Sequence, residues 1–352
     1  MKILIIALSG IGDALMFTPS LKLLKKNFPE AQIDALVMIK GAEDIYSSNP
    51  NLNQVYFFDF IKEGKLKSLK FVGGLRNKYD ASINVYPSNR KEYNIINYLI
   101  GAKQRVGIRY LRKNKRNFGF LNNLTVLEDD SVHNVQTNIK LCEALAGKKF
   151  DEEPPLECYL TGEEENLSKA FYTEHSIKDD ELVIGFHPGC AIHKNHIKRR
   201  WESEKFAELG KKLIKEKNAK ILLFGGPDEK KLKENIFSQI NSRDAIIVSS
   251  GSLRESAAIM KRCNLFVTND SSQMHIAAAR QLKVVAIIGP TNERYIYPWK
   301  TEHSIVSLNL DCSPCFFYSP KPLICSRDDV KFKCIKELTV DIVFTVVEQF
   351  LL

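Results

Sequence analysis

Three stretches of this sequence join acids, hydroxyls or cations to tight turns. The first runs from Asn264 to Pro290 and reads as strand, turn, helix, strand. Leu265-Phe266-Val267 is a short apolar run of buried-strand character. Asn269-Asp270-Ser271-Ser272 follows, rich in side chains that favour helix starts. Met274, Ile276, Ala277 and Ala278 continue the helix, and Val284 to Ile288 is a second buried strand ending at Gly289-Pro290. Such a unit aims the orphan N–H groups of Ser271, Ser272 and Gln273 beyond the carboxyl end of a parallel sheet, where the helix dipole favours a diphosphate. Asp270 would repel phosphate, so it is better suited to accept hydrogen bonds from sugar hydroxyls. His275, in the first helical turn, is expected to make a structural hydrogen bond.

The second stretch is Gly10-Ile11-Gly12-Asp13, after the apolar run Ile3 to Leu8. Its glycines permit close approach of ligand or backbone. Asp13 either caps the helix or acts as a general base toward an acceptor hydroxyl. The third glycine of a dinucleotide fingerprint is missing, so the stretch gives little support to NAD binding. The third stretch is His187-Pro188-Gly189, opening a loop with His193, Lys194, His196, Lys198, Arg199, Arg200 and Trp201. Cations there suit a diphosphate leaving group and offset its charge without a metal. The plainer alternative is an exposed basic loop with Trp201 in the core. Gly225-Gly226-Pro227 lies on the same expected sheet edge, as an ordinary turn or as lining of a nucleotide pocket. Glu255 and Ser256 are read either as contacts to base or ribose or as solvated helix-face positions.

Two further clusters stand apart. Lys103, Arg105, Arg109, Arg112, Lys113, Lys115 and Arg116 occur without an intervening acid. They form a solvated loop, or a patch gripping acceptor phosphates or an anionic bilayer. Few aromatics interleave them, which counts against a single-stranded nucleic-acid groove. Cys312-x2-Cys315, with Cys325 and Cys334, has the spacing of a thiolate site for structural zinc or iron in its first pair only. Otherwise these are reduced thiols packed in a loop.

Strands and helices alternate along the chain, which predicts an α/β protein with mainly parallel sheets. The pattern pauses at Asp151 to Pro155 and restarts at Leu182, so two such domains are expected, separated by a cleft lined with carboxyl-end loops. A length of 352 residues also exceeds one ordinary core. The net charge of +9 favours an anionic partner. No apolar run approaches a membrane span, and the N-terminal run is too short for a signal peptide. Eight cysteines without a secretory signal fit a reducing cytoplasm.

Together the motifs resemble glycosyltransferase family 9, the heptosyltransferase-like enzymes of lipopolysaccharide assembly. The resemblance rests on SGIGDALMFTPSLKLLKKNFP at the start, HNVQTNIKLCEALAG at 133–147, FHPGCAIHKNHIKRRWESEKFAEL, FGGPDE, and TNDSSQMHIAAA followed by IGPT. It implies a GT-B fold: an acceptor-binding Rossmann-like domain at 1–160, a nucleotide-sugar-binding one at 161–335, and a helix at 336–352 returning to the first. It implies inverting transfer of a sugar, often heptose from ADP-heptose, onto an anionic glycolipid, without a catalytic metal, in the cytoplasm at the inner face of the membrane. By resemblance Asp13 matches the base, Asp270 to Ser272, Met274 and His275 the donor motif, and Lys198 or Arg199 the phosphate-contacting lysine. Gly10, Gly12, Arg105 and Arg109 are expected on the acceptor side; Gly225, Gly226 and Gln273 on the donor side. Some relatives that modify proteins hold iron at a terminal cysteine cluster. Ser272 stands where the family favours glycine, and Lys283 where it favours proline. The rival expectations are a nucleotide-sugar epimerase of the same architecture, a heptosyltransferase acting on protein, and a basic binding module without catalysis.

Overall fold

A computed structural model describes residues 1–111, 114–317 and 322–351, apart from the side chains of His193 and Lys194. Arg112 and Lys113 of the basic segment thus lie outside the described residues. The chain divides into two compact units, Met1–Tyr159 and Leu160–Leu352.

Unit 1 contains strands β1 (Lys2–Ala7), β2 (Gln32–Val37), β3 (Gln54–Phe57), β4 (Ala81–Asn84), β5 (Gln104–Arg109) and β6 (Leu124–Leu127). Its helices are α1 (Ile11–Leu15), α2 (Thr18–Asn27), α3 (Lys40–Tyr46), α4 (Gly64–Leu75), α5 (Lys91–Ile100) and α6 (Asn134–Ala146). Unit 2 opens with α7 (Gly162–Glu174). Its strands are β7 (Val183–His187), β8 (Lys220–Leu223), β9 (Ala245–Ile247), β10 (Leu265–Asn269), β11 (Lys283–Ile287) and β12 (His303–Val306). Between and after them come α8 (Ser203–Lys217), α9 (Lys230–Ile240), α10 (Leu253–Met260), α11 (Ser272–Ala279), α12 (Glu293–Ile296), α13 (Lys333–Lys336) and α14 (Val340–Leu351).

Each unit is built on a six-stranded sheet, ordered β3-β2-β1-β4-β5-β6 in the first and β12-β11-β10-β7-β8-β9 in the second. Numbered from its own first strand, the second sheet has the order of the first. This is the doubly wound dinucleotide-fold order, although the sequence shows no repeat. Every pairing between strands is parallel, as between Ile5 and both Ala35 and Ile83, or Val267 and both Phe186 and Val285. Parallel strands buried on both faces need continuous apolar runs. That is why KILIIA, LFVTN and KVVAI are buried almost throughout. Strands β6 and β12, absent from the sequence reading, are four-residue sheet edges with half-exposed residues.

The order reverses between β1 and β4 in unit 1 and between β7 and β10 in unit 2. The loops after those strands form the switch points where such sheets bind ligands. Helix α14 packs Val340, Val343, Phe344 and Val347 into the core of unit 2, beside α8 and the β11–β12 edge. Lys283, at the start of β11, donates its Nζ to the Phe350 carbonyl (3.1 Å) and so ties that strand to α14. The longest apolar helices fall short of a membrane span among the described residues.

Candidate functional site

At the switch point of unit 1, β1 runs into Ser9-Gly10 and α1. Asp13 lies in the first turn, three residues after Gly10, which is the N-cap in its place, and its Oδ2 accepts the Gly10 N–H (2.7 Å). A Cβ on Gly10 would stand 3.1 Å from that oxygen, so the bare backbone lets the carboxylate fold back on it. The field of Asp13 reaches three phenols, Tyr46, Tyr93 and Tyr110. Burial first, and that charge second to the other contributions, push all three above the ordinary tyrosine value. They therefore stay protonated. Beside them the chain after β4 passes through Tyr86-Pro87, fixed by Asn138 of α6, whose Oδ1 accepts the Tyr86 N–H (2.9 Å). Ser9 donates to the Pro87 carbonyl, closing the two loops together.

The basic segment is split by the sheet. Arg109 is exposed at the carboxyl end of β5. Arg105 sits at the amino end, where its guanidinium donates to the carbonyls of Leu121 (3.0 Å) and Ala102 (2.8 Å) and stacks over Tyr98. This corrects the expectation of an acceptor contact: its donors brace the β5–β6 region, at the sheet end opposite Asp13.

The switch point of unit 2 is a dense polar network. His187 ends β7, Ser271 follows β10, and the imidazole bridges Ser271 Oγ (2.9 Å to Nδ1) and Glu229 Oε2 (3.0 Å to Nε2). With Nε2–H donating to the carboxylate, Nδ1 accepts from the serine. Ser271 is the N-cap residue of α11, yet its hydroxyl makes no capping bond. It turns instead to His187 and to Thr268 Oγ1 (3.3 Å). Hence the amides of the first turn are left without the side-chain acceptor a serine there normally supplies.

Glu229 closes the FGGPDE motif but has no role in the sequence reading. The turns at Gly189 and at Gly225-Gly226, the latter read either as an ordinary turn or as pocket lining, surround its carboxylate. A Cβ on Gly189 would collide with Glu229 Oε1, and one on Gly225 would stand 2.9 Å from Oε2. Gly225 also has φ +154, outside ordinary L-residue space. The Gly226 N–H donates to Oε2 (3.1 Å), and Arg200 reaches Oε1 (3.4 Å). Burial pushes the carboxyl upward, but the hydrogen bond from His187, that amide and the charge of Arg200 together hold it below its ordinary value. Lys233, also missed, is a buried cation donating to the carbonyls of Gly225 (3.0 Å) and Val248 (2.8 Å), its pKa lowered by burial.

Arg199 and Asp270, expected in separate roles, form a buried ion pair. Thr291 donates to Asp270 Oδ2 (2.6 Å), and Arg199 lies over the Phe316 ring. Asn269 links the turns, accepting the Trp201 N–H (3.0 Å) and donating to the Pro188 carbonyl (2.7 Å). Trp201 is core, as the plainer alternative had it, with its indole N–H on the Leu338 carbonyl (2.9 Å). Lys198 is exposed. His275 and Gln273 are buried, and neither the imidazole Nδ1 nor the amide oxygen has a hydrogen-bond partner among the described residues. Burial pushes the His275 pKa down to about 4, against the charge of Asp270. Of its two ring nitrogens, Nδ1 does not make the structural hydrogen bond expected of His275. Glu255 is half-buried and accepts the Gly251 N–H (2.6 Å), while Ser256 is buried, so Ser256 is not the solvated helix-face position of the plainer alternative.

The cysteines come together across 22 residues of chain. Burial first, and then the charges of Cys315, Cys325 and Cys312, push the Cys334 thiol up to about 11. Cys325 accepts the Phe332 N–H (3.2 Å) and Cys312 the Arg327 guanidinium (3.7 Å). No set of three or more His, Cys, Asp or Glu side chains is arranged to hold an ion among the described residues.

Two dinucleotide-type sheets, with an uncapped helix tip at one switch point and an acid at the other, define a GT-B glycosyltransferase fold. The pattern of glycosyltransferase family 9 (heptosyltransferase) matches residues 68–321, and the chain belongs to that family. It is similar to lipooligosaccharide heptosyltransferase 2 of Haemophilus ducreyi, 28% identical over 321 residues, 88% of this chain and 89% of the relative. Lipopolysaccharide heptosyltransferase 2 of Salmonella typhimurium is 26% identical, over 88% of each chain. Among solved structures, the E. coli ADP-heptose lipopolysaccharide heptosyltransferase II superposes with a TM-score of 0.75 over 100% of this chain and 98% of its own, at 21% identity. Family membership makes the chain a glycosyltransferase and removes the non-catalytic binding module.

Proposed function

We propose that the chain transfers heptose from ADP-heptose, with inversion, onto the core of lipopolysaccharide or a related anionic glycolipid. Unit 2 binds the donor and unit 1 the acceptor. Asp13 takes the proton of an acceptor hydroxyl, whose oxygen attacks the anomeric carbon. The bond from that carbon to the diphosphate breaks, and the nucleoside diphosphate leaves with the electron pair. The amides of Ser271, Ser272 and Gln273 with Lys198 receive the charge that develops on it. Asp270, held by Arg199 and Thr291, accepts from donor hydroxyls, while Gly225 and Gly226 line the nucleotide side. His275 is the buried base of that helix tip. Gly10, Gly12 and Arg109 serve the acceptor.

The observation that carries this reading is the serine that declines to cap α11: its hydroxyl is held by His187, so the helix tip keeps its donors for an anion. Relatives named as heptosyltransferases over most of their length supply the sugar. The reaction needs no cofactor in this scheme. A structural zinc or iron on Cys312, Cys315, Cys325 and Cys334 is a separate proposal, supported by the C-x2-C spacing of the first pair; metal content should fall in Cys312→Ser relative to the parent chain. The basic balance of the chain supports work in the cytoplasm against an anionic membrane surface.

The test is to supply ADP-, UDP- and GDP-sugars with a heptose-deficient lipopolysaccharide acceptor. Mass spectrometry should show one heptose added from ADP-heptose alone. Free epimerised sugar formed without acceptor, or transfer to a protein acceptor only, would replace this function by one of the other two expectations.

A further inference from the structure

Helix α4 has two apolar stripes instead of one. At 3.6 residues per turn, Phe71, Val72 and Leu75 share the face that meets the core of unit 1. Phe71 stacks on Phe58 with ring centroids 4.3 Å apart. Half a turn away, Leu66, Leu69 and Gly73 line the opposite face. Leu66 is 84% exposed and Leu69 58%, and Ile61, in the turn that leads into the helix, is 74% exposed. That turn is fixed, because Asp59 accepts the N–H groups of Ile61 (3.1 Å) and Lys62 (3.0 Å). A solvated helix has no use for such an outer stripe.

The stripe is flanked by Lys62, Lys65, Lys67 and Lys70, all exposed. Lys62 and Lys67 pair with Asp59 (3.5 Å) and Glu63 (2.7 Å). Among the described residues no acid lies within ion-pair distance of Lys65 or Lys70. Leucines pointing outward between lysines match a bilayer surface, where the apolar side chains enter the headgroup boundary and the ammonium groups meet anionic lipid. A second copy of the chain would bring lysines against lysines. We propose that the outer face of α4, with Ile61, is the surface by which this protein docks on an anionic membrane. It gives the membrane contact proposed above a place, on α4 instead of the 103–116 segment.

The experiment is flotation with vesicles of phosphatidylcholine, with and without phosphatidylglycerol. The parent chain should bind the mixed vesicles only, and salt should weaken binding. Leu66→Ser with Leu69→Ser should abolish it, and Lys65→Gln or Lys70→Gln should each weaken it about fivefold, the worth of one charge near such a surface. Arg109→Gln should leave it unchanged. Equal binding by parent and double variant would overturn the proposal, as would a parent that ignores anionic vesicles. Light scattering showing a dimer that Leu66→Ser with Leu69→Ser dissociates would also overturn it, assigning the stripe to self-association. Transfer to a delipidated, water-soluble acceptor should be equal in parent and double variant, so loss of vesicle binding and failure of the sugar-transfer reading are scored separately.

Discussion

The two switch points share a topology and differ in what holds their acids. In unit 1 the loop after the first strand bends an aspartate back onto the Gly10 amide, among tyrosines that burial keeps protonated. In unit 2 each acid is matched to a partner that is a cation or an imidazole: Asp270 to Arg199, and Glu229 to His187 and Arg200. An acid clamped on a guanidinium is a poor base, because protonating it breaks a charge-assisted bond. What unit 2 leaves open is the opposite chemistry, a set of amides beside a serine that does not cap them. In the proposed function one strand order thus supplies a proton acceptor in one copy and an anion receptor in the other, and the distinction lies in side-chain partners.

The sharpest way to break this contrast is to remove the acid of unit 1. Asp13→Ala should lower kcat by about a hundred- to ten-thousand-fold, the usual range for a general base, while calorimetry with ADP shows donor-side affinity unchanged. If turnover persists, or ADP binding falls with it, the division of labour fails.

A second prediction concerns unit 2 alone, and both tryptophans, Trp201 and Trp299, are buried there to report it. The His275 pKa lies at about 4 in the folded protein, against 6.5 ordinarily. The unfolded chain therefore binds the proton first as pH falls. Stability from this group is complete above about pH 6.5 and drains away toward pH 4, by roughly 3 kcal/mol in all. Glu229, lowered from 4.5, adds a loss only below that value. Urea unfolding followed by tryptophan fluorescence should slope between pH 6.5 and 4.5, and His275→Gln should flatten the slope. A slope unchanged in the variant would place the titrating group elsewhere.

How much of this the sequence showed follows from where the information sits. Continuous apolar runs such as KILIIA and KVVAI announce central strands, and the edge strands β6 and β12 do not, because half-exposed four-residue segments carry no such run. The strand-to-helix turns at Gly10-Asp13, His187-Gly189 and Asp270-Ser272 were legible, since glycines and capping residues mark them locally. Partnerships were not. Arg199 and Asp270 lie 71 residues apart, so each read as a free group with a role of its own, and His187 and Glu229 lie 42 apart, so nothing local pointed to Glu229 as the partner of the imidazole. Lys233 hides among the lysines of EKKLKEN, and nothing in that string says its ammonium is buried on two carbonyls. The one available hint to Glu229 was the pair of glycine turns: one only opens a basic loop and the other reads either as an ordinary turn or as pocket lining, whereas the Glu229 carboxylate fills the Cβ space of Gly189 and Gly225.

That reassignment yields the smallest and most discriminating effect. If Gly189 is glycine because Glu229 occupies its Cβ space, Gly189→Ala must displace the carboxylate from His187 and Arg200, costing about 1–3 kcal/mol, as Glu229→Gln should by weakening the same bonds. The two together should cost hardly more than the larger alone, since both act on one network. In unit 1 the corresponding Gly10→Ala meets Asp13 Oδ2 at 3.1 Å, a contact relieved by a shift of a few tenths of an ångström, so its cost should be the lesser. Urea midpoints for the four variants measure this directly. Additive costs at Gly189 and Glu229 would mean that the glycine is kept for a ligand after all, and the two switch points would then be more alike than their partners make them.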